Sequence, residues 1–257
     1  DGDGMPIFHK PGLTSLRVGD INNDGLRDVV AVGWGSDTLV CLDGDPETLL
    51  KPPRISTVHG GPFSLVLVDL NHDKNLDVAV TLMATNEIAI LRGDGKGGFA
   101  EVQRFASRGR LPHRLESADI NQDGQEDLVV SHKDTDDSIV IFYGASDFLY
   151  PASQEIRLGS DREVLEHQIS DITIGDFNQD GFPDIGAACF RSGKVITLTT
   201  DSSKNKTFLE FRQASYSFKG GQPRALCAAD LNQDGKDDIA VALSGLNEVR
   251  LLLNRNK

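Results

Sequence analysis

The segment Asp20-Ile21-Asn22-Asn23-Asp24-Gly25-Leu26-Arg27-Asp28 returns four more times along the chain. Asp119 to Asp127, Asp176 to Asp184 and Asp230 to Asp238 keep every position of the pattern Asp, apolar, Asn, any, Asp, Gly, any, any, Asp. The copy from Asp69 to Asp77 keeps the acids and the Asn but carries Lys74 where the others have Gly. The copies start 49 to 57 residues apart. A period of that length marks a repeat architecture in which one unit recurs around a shared core.

The flanks of each copy alternate with the period of a strand. In the second unit Phe63–Val68 leads into the acidic loop and Val78–Leu82 leaves it. Glu87–Leu91 follows, then the turn cluster Gly93–Gly98 and a fourth strand over Ala100–Phe105. The same order can be laid on the other units. The one departure is a short helical turn expected between Ser160 and His167. Four-stranded units of roughly 50 residues are the size of propeller blades, so the expected fold is an all-β β-propeller of five four-stranded blades, one domain over residues 1–257.

The ends of the chain complement one another. The C-terminus stops after a third strand, Glu248–Asn254, while Gly2-Asp3-Gly4 followed by Phe8 echoes Gly93-Asp94-Gly95 followed by Phe99. Residues Met5 to Lys10 are therefore expected to close the last blade as its outer strand, which would remove an exposed sheet edge. A piece of a larger propeller cut in phase would show the same end arithmetic, and that alternative stays open.

The repeated motif, with the Gly or Pro turns of Gly60-Gly61-Pro62-Phe63 and Gly220-Gly221-Gln222-Pro223, resembles the FG-GAP/VCBS repeats of the integrin alpha-subunit propeller and of related extracellular bacterial and fungal proteins. The resemblance covers nearly the whole chain. It implies a calcium-loop propeller used in adhesion or recognition, in an extracellular, periplasmic or cell-surface setting. The family is commonly seven-bladed, whereas this chain supplies five copies.

Within each loop the first, third and fifth side chains converge if the backbone curls, and Gly at the sixth position permits the bend. Calcium requires such a cage of hard oxygens. The expected ligand sets are Asp20, Asn22, Asp24 and Asp28 with the carbonyl of Leu26; Asp69, Asn71, Asp73 and Asp77 with that of Asn75; Asp119, Asn121, Asp123 and Asp127 with that of Gln125; Asp176, Asn178, Asp180 and Asp184 with that of Phe182; and Asp230, Asn232, Asp234 and Asp238 with that of Lys236. The ligand positions of these loops hold 15 of the 39 acids and leave 24 against 26 bases, so the formal charge of −13 is concentrated in them. The competing reading is that Asp and Asn merely cap turns through their own side chains. No His or Cys stands at zinc-ligand spacing. An EF-hand is excluded because the Glu at its twelfth position is missing and the loops lie between strands.

Net acidity disfavours nucleic acid as a partner. The apolar runs fall far short of the roughly 20 residues that cross a bilayer, so no direct membrane insertion is expected. Cys41, Cys189 and Cys227 each sit in an apolar run and read as small buried hydrophobes. The connections opposite the acidic loops carry Trp34, His59, Arg110, His113, His132, Arg191 and Arg224, of which Trp34, His59, His113, Arg191 and Arg224 are the candidate ligand-binding residues for a carbohydrate or protein. Arg92-Gly93-Asp94 is read as turn chemistry, and Asn205-Lys206-Thr207 as a glycosylation acceptor pattern. No nucleophile elbow or phosphate loop is present, so the expected function is noncatalytic recognition. A scaffold domain within a larger protein is the alternative, and an extracellular polysaccharide-active enzyme ranks behind both.

Overall fold

The computed structural model describes residues 12–133, 137–158, 167–200 and 209–254. The expected closing strand Met5–Lys10, most of the expected turn at Ser160–His167 and the Asn205 pattern lie outside them. The described residues fall into two compact units, Asp1–Ala106 and Ser107–Lys257.

In the first unit, β1 (Leu13–Gly19), β2 (Asp28–Gly33) and β3 (Thr38–Leu42) form a sheet that is completed, after a short ribbon of β4 (Gly44–Asp45) and β5 (Leu49–Leu50), by β6 (Arg54–Thr57). The second sheet follows as β7 (Pro62–Val68), β8 (Asp77–Leu82), β9 (Glu87–Gly93) and β10 (Phe99–Ala106). The second unit holds β11 (Pro112–Ala118), β12 (Asp127–His132), β13 (Ser138–Tyr143) and β14 (Ala152–Arg157), then β15 (Ile169–Gly175), β16 (Asp184–Cys189), β17 (Lys194–Thr200) and β18 (Phe211–Ser217). Its last sheet is β19 (Pro223–Ala229), β20 (Asp238–Leu243) and β21 (Glu248–Leu252). The fold is all-β, and the five antiparallel meanders are β-propeller blades, four of them four-stranded and the fifth three-stranded among the described residues.

Position within the blade explains the sequence pattern of each strand. The second strands β8, β12 and β16 are buried at all six positions, which is why they read as continuous apolar runs. The fourth strands β10 and β18 are the outer strands of their sheets; β18 is largely exposed and β10 is exposed at half of its positions. Each first strand shifts register near its start, at Leu13/Ser15, Pro62/Leu65, Pro112/Arg114, Ile169/Asp171 and Pro223/Ala225. Such bulges sharpen the local twist, and proline is tolerated at the first position of a strand.

Blades pack through unlike faces. In the second unit Ile172, Ile185, Ala187, Ile196 and Leu198 of the fourth blade meet Val129, Ile139 and Ile141 of the third. The fifth blade applies Ile239, Val241 and Leu243 to Val195, Phe177 and Phe218. Truncating one such Ile to Ala would cost about 2–5 kcal/mol, the sum of lost transfer free energy and a cavity. In the first unit Val30, Val32 and Leu39 meet Leu65, Val78 and Val80. Cys41 and Cys189 are buried as expected, but Cys227 is exposed. The register puts Cys227 opposite Ala240, and Ala240 opposite Leu251, on the face of the fifth blade turned away from the fourth.

Candidate functional site

All five acidic loops adopt one backbone. The fourth residue is left-handed in each, with φ of 59° at Asn23, 62° at His72, 55° at Gln122, 62° at Gln179 and 62° at Gln233. The sixth is left-handed too, from 83° to 89° at Gly235, Gly181, Gly25 and Gly124. A Cβ at any of these four glycines would meet nothing within 4 Å, so the demand for glycine is conformational and not a matter of space. Lys74 takes the same conformation at φ 71° and bears its steric cost.

Inside the first loop the Asp20 carboxylate accepts the amides of Asp24 at 3.1 Å and Gly25 at 2.8 Å. Asn22 Oδ1 accepts Asp24 N at 3.0 Å, and Asp24 Oδ1 accepts Leu26 N at 2.8 Å. The loops starting at Asp69, Asp119 and Asp230 repeat this network bond for bond, and that at Asp176 differs only in taking Gln179 N in place of the fifth residue's amide. The Asp20 carboxyl is held below the usual carboxylate range: desolvation pulls it upward, and the amides of Gly25, Asp24, Asn22 and Asn23 together outweigh it.

The ninth acid stands apart from the other three side chains. Asp28, Asp77, Asp127, Asp184 and Asp238 are 0% exposed. One oxygen accepts the amide of the loop's second residue, at 2.8 Å for Ile21, 2.9 Å for Leu70, 3.0 Å for Ile120, 2.8 Å for Phe177 and 3.3 Å for Leu231. The other accepts an amide at or just beyond the end of the third strand, at 2.6 Å for Gly44, 2.8 Å for Gly93, Gly144 and Thr200, and 2.7 Å for Asn254. Each ninth Asp thus ties its loop to the third strand of its own blade. Burial pushes Asp127 up to about 7 against the pull of the Gly144 and Ile120 amides, with Asp123 and Asp119 adding to the rise. Burial likewise pushes Asp184 up to about 6.

Among the described residues, no three or more His, Cys, Asp or Glu side chains converge as an ion cage. The first and fifth acids of each loop are turned onto loop amides, and the ninth faces inward. The second loop also has a positive group of its own, since Arg92 donates to Asp73 Oδ2 at 3.0 Å.

At the opposite ends of the strands the candidate ligand residues separate into small groups. In the first unit Trp34 is 50% exposed on a single 3-10 turn, and its ring lies over Gly61, where an added Cβ would come within 3.0 Å of it. Asp37 accepts Gly61 N at 2.9 Å and faces His59 Nδ1 at 3.4 Å, so Trp34, Asp37 and His59 form one cluster. In the second unit the Arg224 guanidinium lies 4.2 Å over the Phe190 ring, beside a cavity of about 350 Å³ lined by Phe190, Arg191, Ser192 and Phe218. His113 is not displayed at this rim: it is 6% exposed, and burial, followed by Arg114 and Lys133, depresses its pKa to about 3.

One repeated device left no mark in the sequence motif. Asp137 accepts His167 N and Gln168 N, both at 2.7 Å, as Asp37 accepts Gly61 N, so each closes the entry to the next blade. Their common signal is a left-handed acid between the second and third strands, at φ 50° and 43°.

Among solved structures, a catalytically inactive virginiamycin B lyase from Staphylococcus aureus with quinupristin matches at a TM-score of 0.64 and 14% identity, over 97% of this chain and 70% of that one. BBS1N in complex with ARL6DN, soaked with lead, matches at 0.60 and 13% identity, over 95% of this chain and 64% of that one. At such identities the likeness is one of fold. No curated protein matches the chain significantly. An FG-GAP-like repeat profile matches residues 20–80, 73–130 and 119–187, and an FG-GAP repeat profile matches 223–245. With more than half of its length matched repeat by repeat, the chain belongs to the FG-GAP repeat family.

Proposed function

We propose that the chain is a noncatalytic recognition module, extracellular, periplasmic or cell-surface, whose blade loops are stabilised by calcium and whose opposite rim contacts a carbohydrate or protein. The observation that carries this reading is the fivefold recurrence of Asp, Asn and Asp oxygens on one loop geometry. The donor set fits a hard cation: every side-chain donor is oxygen, and each carboxylate or amide oxygen engaged with a loop amide retains a second lone pair. Asp20, Asn22, Asp24 and the Leu26 carbonyl would hold the ion in the first loop, with Asp28 behind them, and the matching residues would do so in the others. The ion would offset the charge that three acids place in each loop.

The Trp34 cluster supports the second half of the proposal. A half-exposed indole beside Asp37 and His59 offers an apolar face and polar groups together, as sugar rings and protein side chains both require. A scaffold role in a larger assembly is the second reading, favoured by the apolar face of the fifth blade, where Val249 is 70% and Leu251 54% exposed.

The deciding experiment is a calcium titration with metal analysis and thermal unfolding after rigorous chelation, followed by glycan and secreted-protein arrays in calcium and in chelator. Calcium uptake with a raised unfolding temperature, and a ligand lost on Trp34→Ala, are expected. A chain that takes up no calcium, or whose unfolding ignores it, overturns the calcium reading.

A further inference from the structure

Three blades carry a left-handed residue just before their third strand: Asp37 in the first, Asp137 in the third and Gly193 in the fourth, at φ 50°, 43° and 66°. Each gives its carbonyl to the residue just past the fourth strand of its own blade, at 2.8 Å to the amide of Val58, 3.2 Å to that of Leu158 and 2.7 Å to that of Phe218. The backbone is therefore the same in all three. Only in the first and third does it bear a carboxylate.

The amides that this carboxylate serves are equivalent too. Gly61 and Gln168, each the last residue before a first strand and left-handed at φ 71° and 53°, donate to Asp37 and Asp137. Gln222 holds the same place before β19, at φ 47°, and its amide has no acceptor among the described residues. An aspartate at position 193 would not fit without moving the chain, since a Cβ there would stand 2.9 Å from the Phe218 carbonyl oxygen. What the fourth blade has instead is the cavity of about 350 Å³, whose lining includes Gly193, Gln222, Phe190, Phe218, Ser217 and Lys219. No acid lines it, and neither Lys219 nor the neighbouring Arg224 has a carboxylate partner among the described residues. In a chain with a formal charge of −13, this is a local concentration of positive charge.

We infer that this cavity binds a carboxylate-bearing sugar, a uronate residue, whose carboxylate accepts the Gln222 amide in the way that Asp37 accepts Gly61 and Asp137 accepts Gln168. Lys219 and Arg224 complement its charge, and a charge-assisted hydrogen bond to a backbone amide is among the stronger polar contacts available to a ligand. A carboxylate alone would leave most of the volume empty. Phe190 and Phe218 supply apolar surface for a sugar ring, and the Ser217 hydroxyl and the glycine backbone supply partners for its hydroxyls. The inference rests on the reading of this rim as a recognition surface and names the ligand class for one part of it. It requires neither calcium nor Trp34.

The test uses the full chain, labelled with nitrogen-15 and followed by NMR. It is titrated with methyl glucuronide, with the methyl ester of that sugar, with methyl glucoside and with N-acetylaspartate amide. The glucuronide should bind saturably and move the Gln222 amide resonance downfield. The ester and the glucoside, which keep the ring and lack the charge, should bind about tenfold more weakly or worse. Lys219→Gln combined with Arg224→Gln, at two exposed positions, should weaken glucuronide binding by a similar factor and leave the amide spectrum away from the cavity unchanged. Absence of saturable glucuronide binding, equal affinity for the ester, an unmoved Gln222 amide, or binding of the aspartate amide alone overturns the inference. An array ligand lost on Trp34→Ala, found together with no glucuronide binding, would overturn this inference and leave the wider reading of the rim standing.

Discussion

Arg92 donates to the Asp73 carboxylate at 3.0 Å, and this pair gives the second acidic loop a positive group at its fifth position. The side-chain amide of Asn71, the Asn75 amide and Arg92 hold the Asp73 carboxyl below the usual range against a modest desolvation. The second loop is also the one with Lys74 in a left-handed conformation. If the loops take up cations as proposed, a guanidinium on Asp73 would make this loop the weakest of the five. Calorimetric titration should therefore show four calcium sites ahead of the fifth, and Arg92→Ala combined with Lys74→Gly should bring the fifth into the same range. Lys74→Gly alone should stabilise the calcium-free chain by about 1 kcal/mol, the relief of a left-handed backbone. A second loop that fills first would refute the ranking.

Removing a donor from a single loop should have a graded effect. Asp24→Ala deletes the acceptor of the Leu26 amide and one proposed ligand, while the strands on either side stay intact. The unfolding temperature of this variant in chelator should fall little, because an exposed hydrogen bond is worth about 1 kcal/mol. In saturating calcium the gap to the parent chain should widen, and metal analysis should find one ion fewer. An equal gap in both conditions would leave Asp24 as a turn residue only.

The ninth acids should behave in the opposite way. Asp127 accepts two buried amides, from Ile120 and Gly144, so Asp127→Ala strands both donors and should cost about 2–5 kcal/mol. That loss should appear in chelator as well as in calcium. Asp127→Asn, which keeps one acceptor, should lose less. Chemical denaturation of the three proteins separates the cases, and an Asp127→Ala loss that vanishes in chelator would show that the residue acts only through an ion.

Acidification offers a separate handle through His113. Its folded pKa is depressed to about 3 by burial, from an ordinary value near 6.5, so above 6.5 the group is neutral in both states and contributes nothing. Below 6.5 the unfolded chain takes up a proton that the folded chain refuses, and stability falls by up to about 1.4 kcal/mol per pH unit until about pH 3. Asp127 acts with the other sign. Its folded pKa is raised to about 7, so its contribution is lost as pH rises from 3.8 through 7. Comparing the parent chain with His113→Gln cancels that background. Their stability difference should shrink by about 2 kcal/mol between pH 7 and pH 5. A constant difference would mean that His113 titrates normally in the folded state.

Trp34 separates packing from recognition. With half of its surface exposed, Trp34→Ala should cost only about 1–2 kcal/mol of stability from the ring's contact with Gly61. Any glycan or protein ligand found in calcium should bind at least about tenfold more weakly to that variant. A greatly destabilised chain, or unchanged affinity for an identified ligand, would return Trp34 to a packing role.

Much of the architecture was legible from one-dimensional spacing. Five acidic nonapeptides at a regular interval, each flanked by alternating apolar runs, name a repeated blade, because strand burial writes its period directly into the chain. The strands expected around the second loop, from Phe63 to Phe105, match β7 to β10 with shifts of one or two residues at their ends. The glycine at the sixth position was readable for the same reason, since a left-handed backbone excludes most other residues wherever it occurs.

The roles of residues inside the motif were decided by tertiary structure. Asp24 and Asp28 are equivalent as letters, yet one is exposed and the other fully buried, because the third strand returns across the loop and places the Gly44 amide on Asp28, 16 residues further along the chain. The Cys227 side chain is exposed although its neighbours are apolar, because burial depends on whether a second blade covers that face. His113, expected in a connection, lies in β11 and is buried, and Asp137 gained its two amides from residues 30 and 31 positions away. Sequence alone determines the local conformations and the period, which depend on near neighbours. Which oxygen meets an amide and which remains turned to solvent depends on strands that are distant in the chain and adjacent only once the sheets have formed.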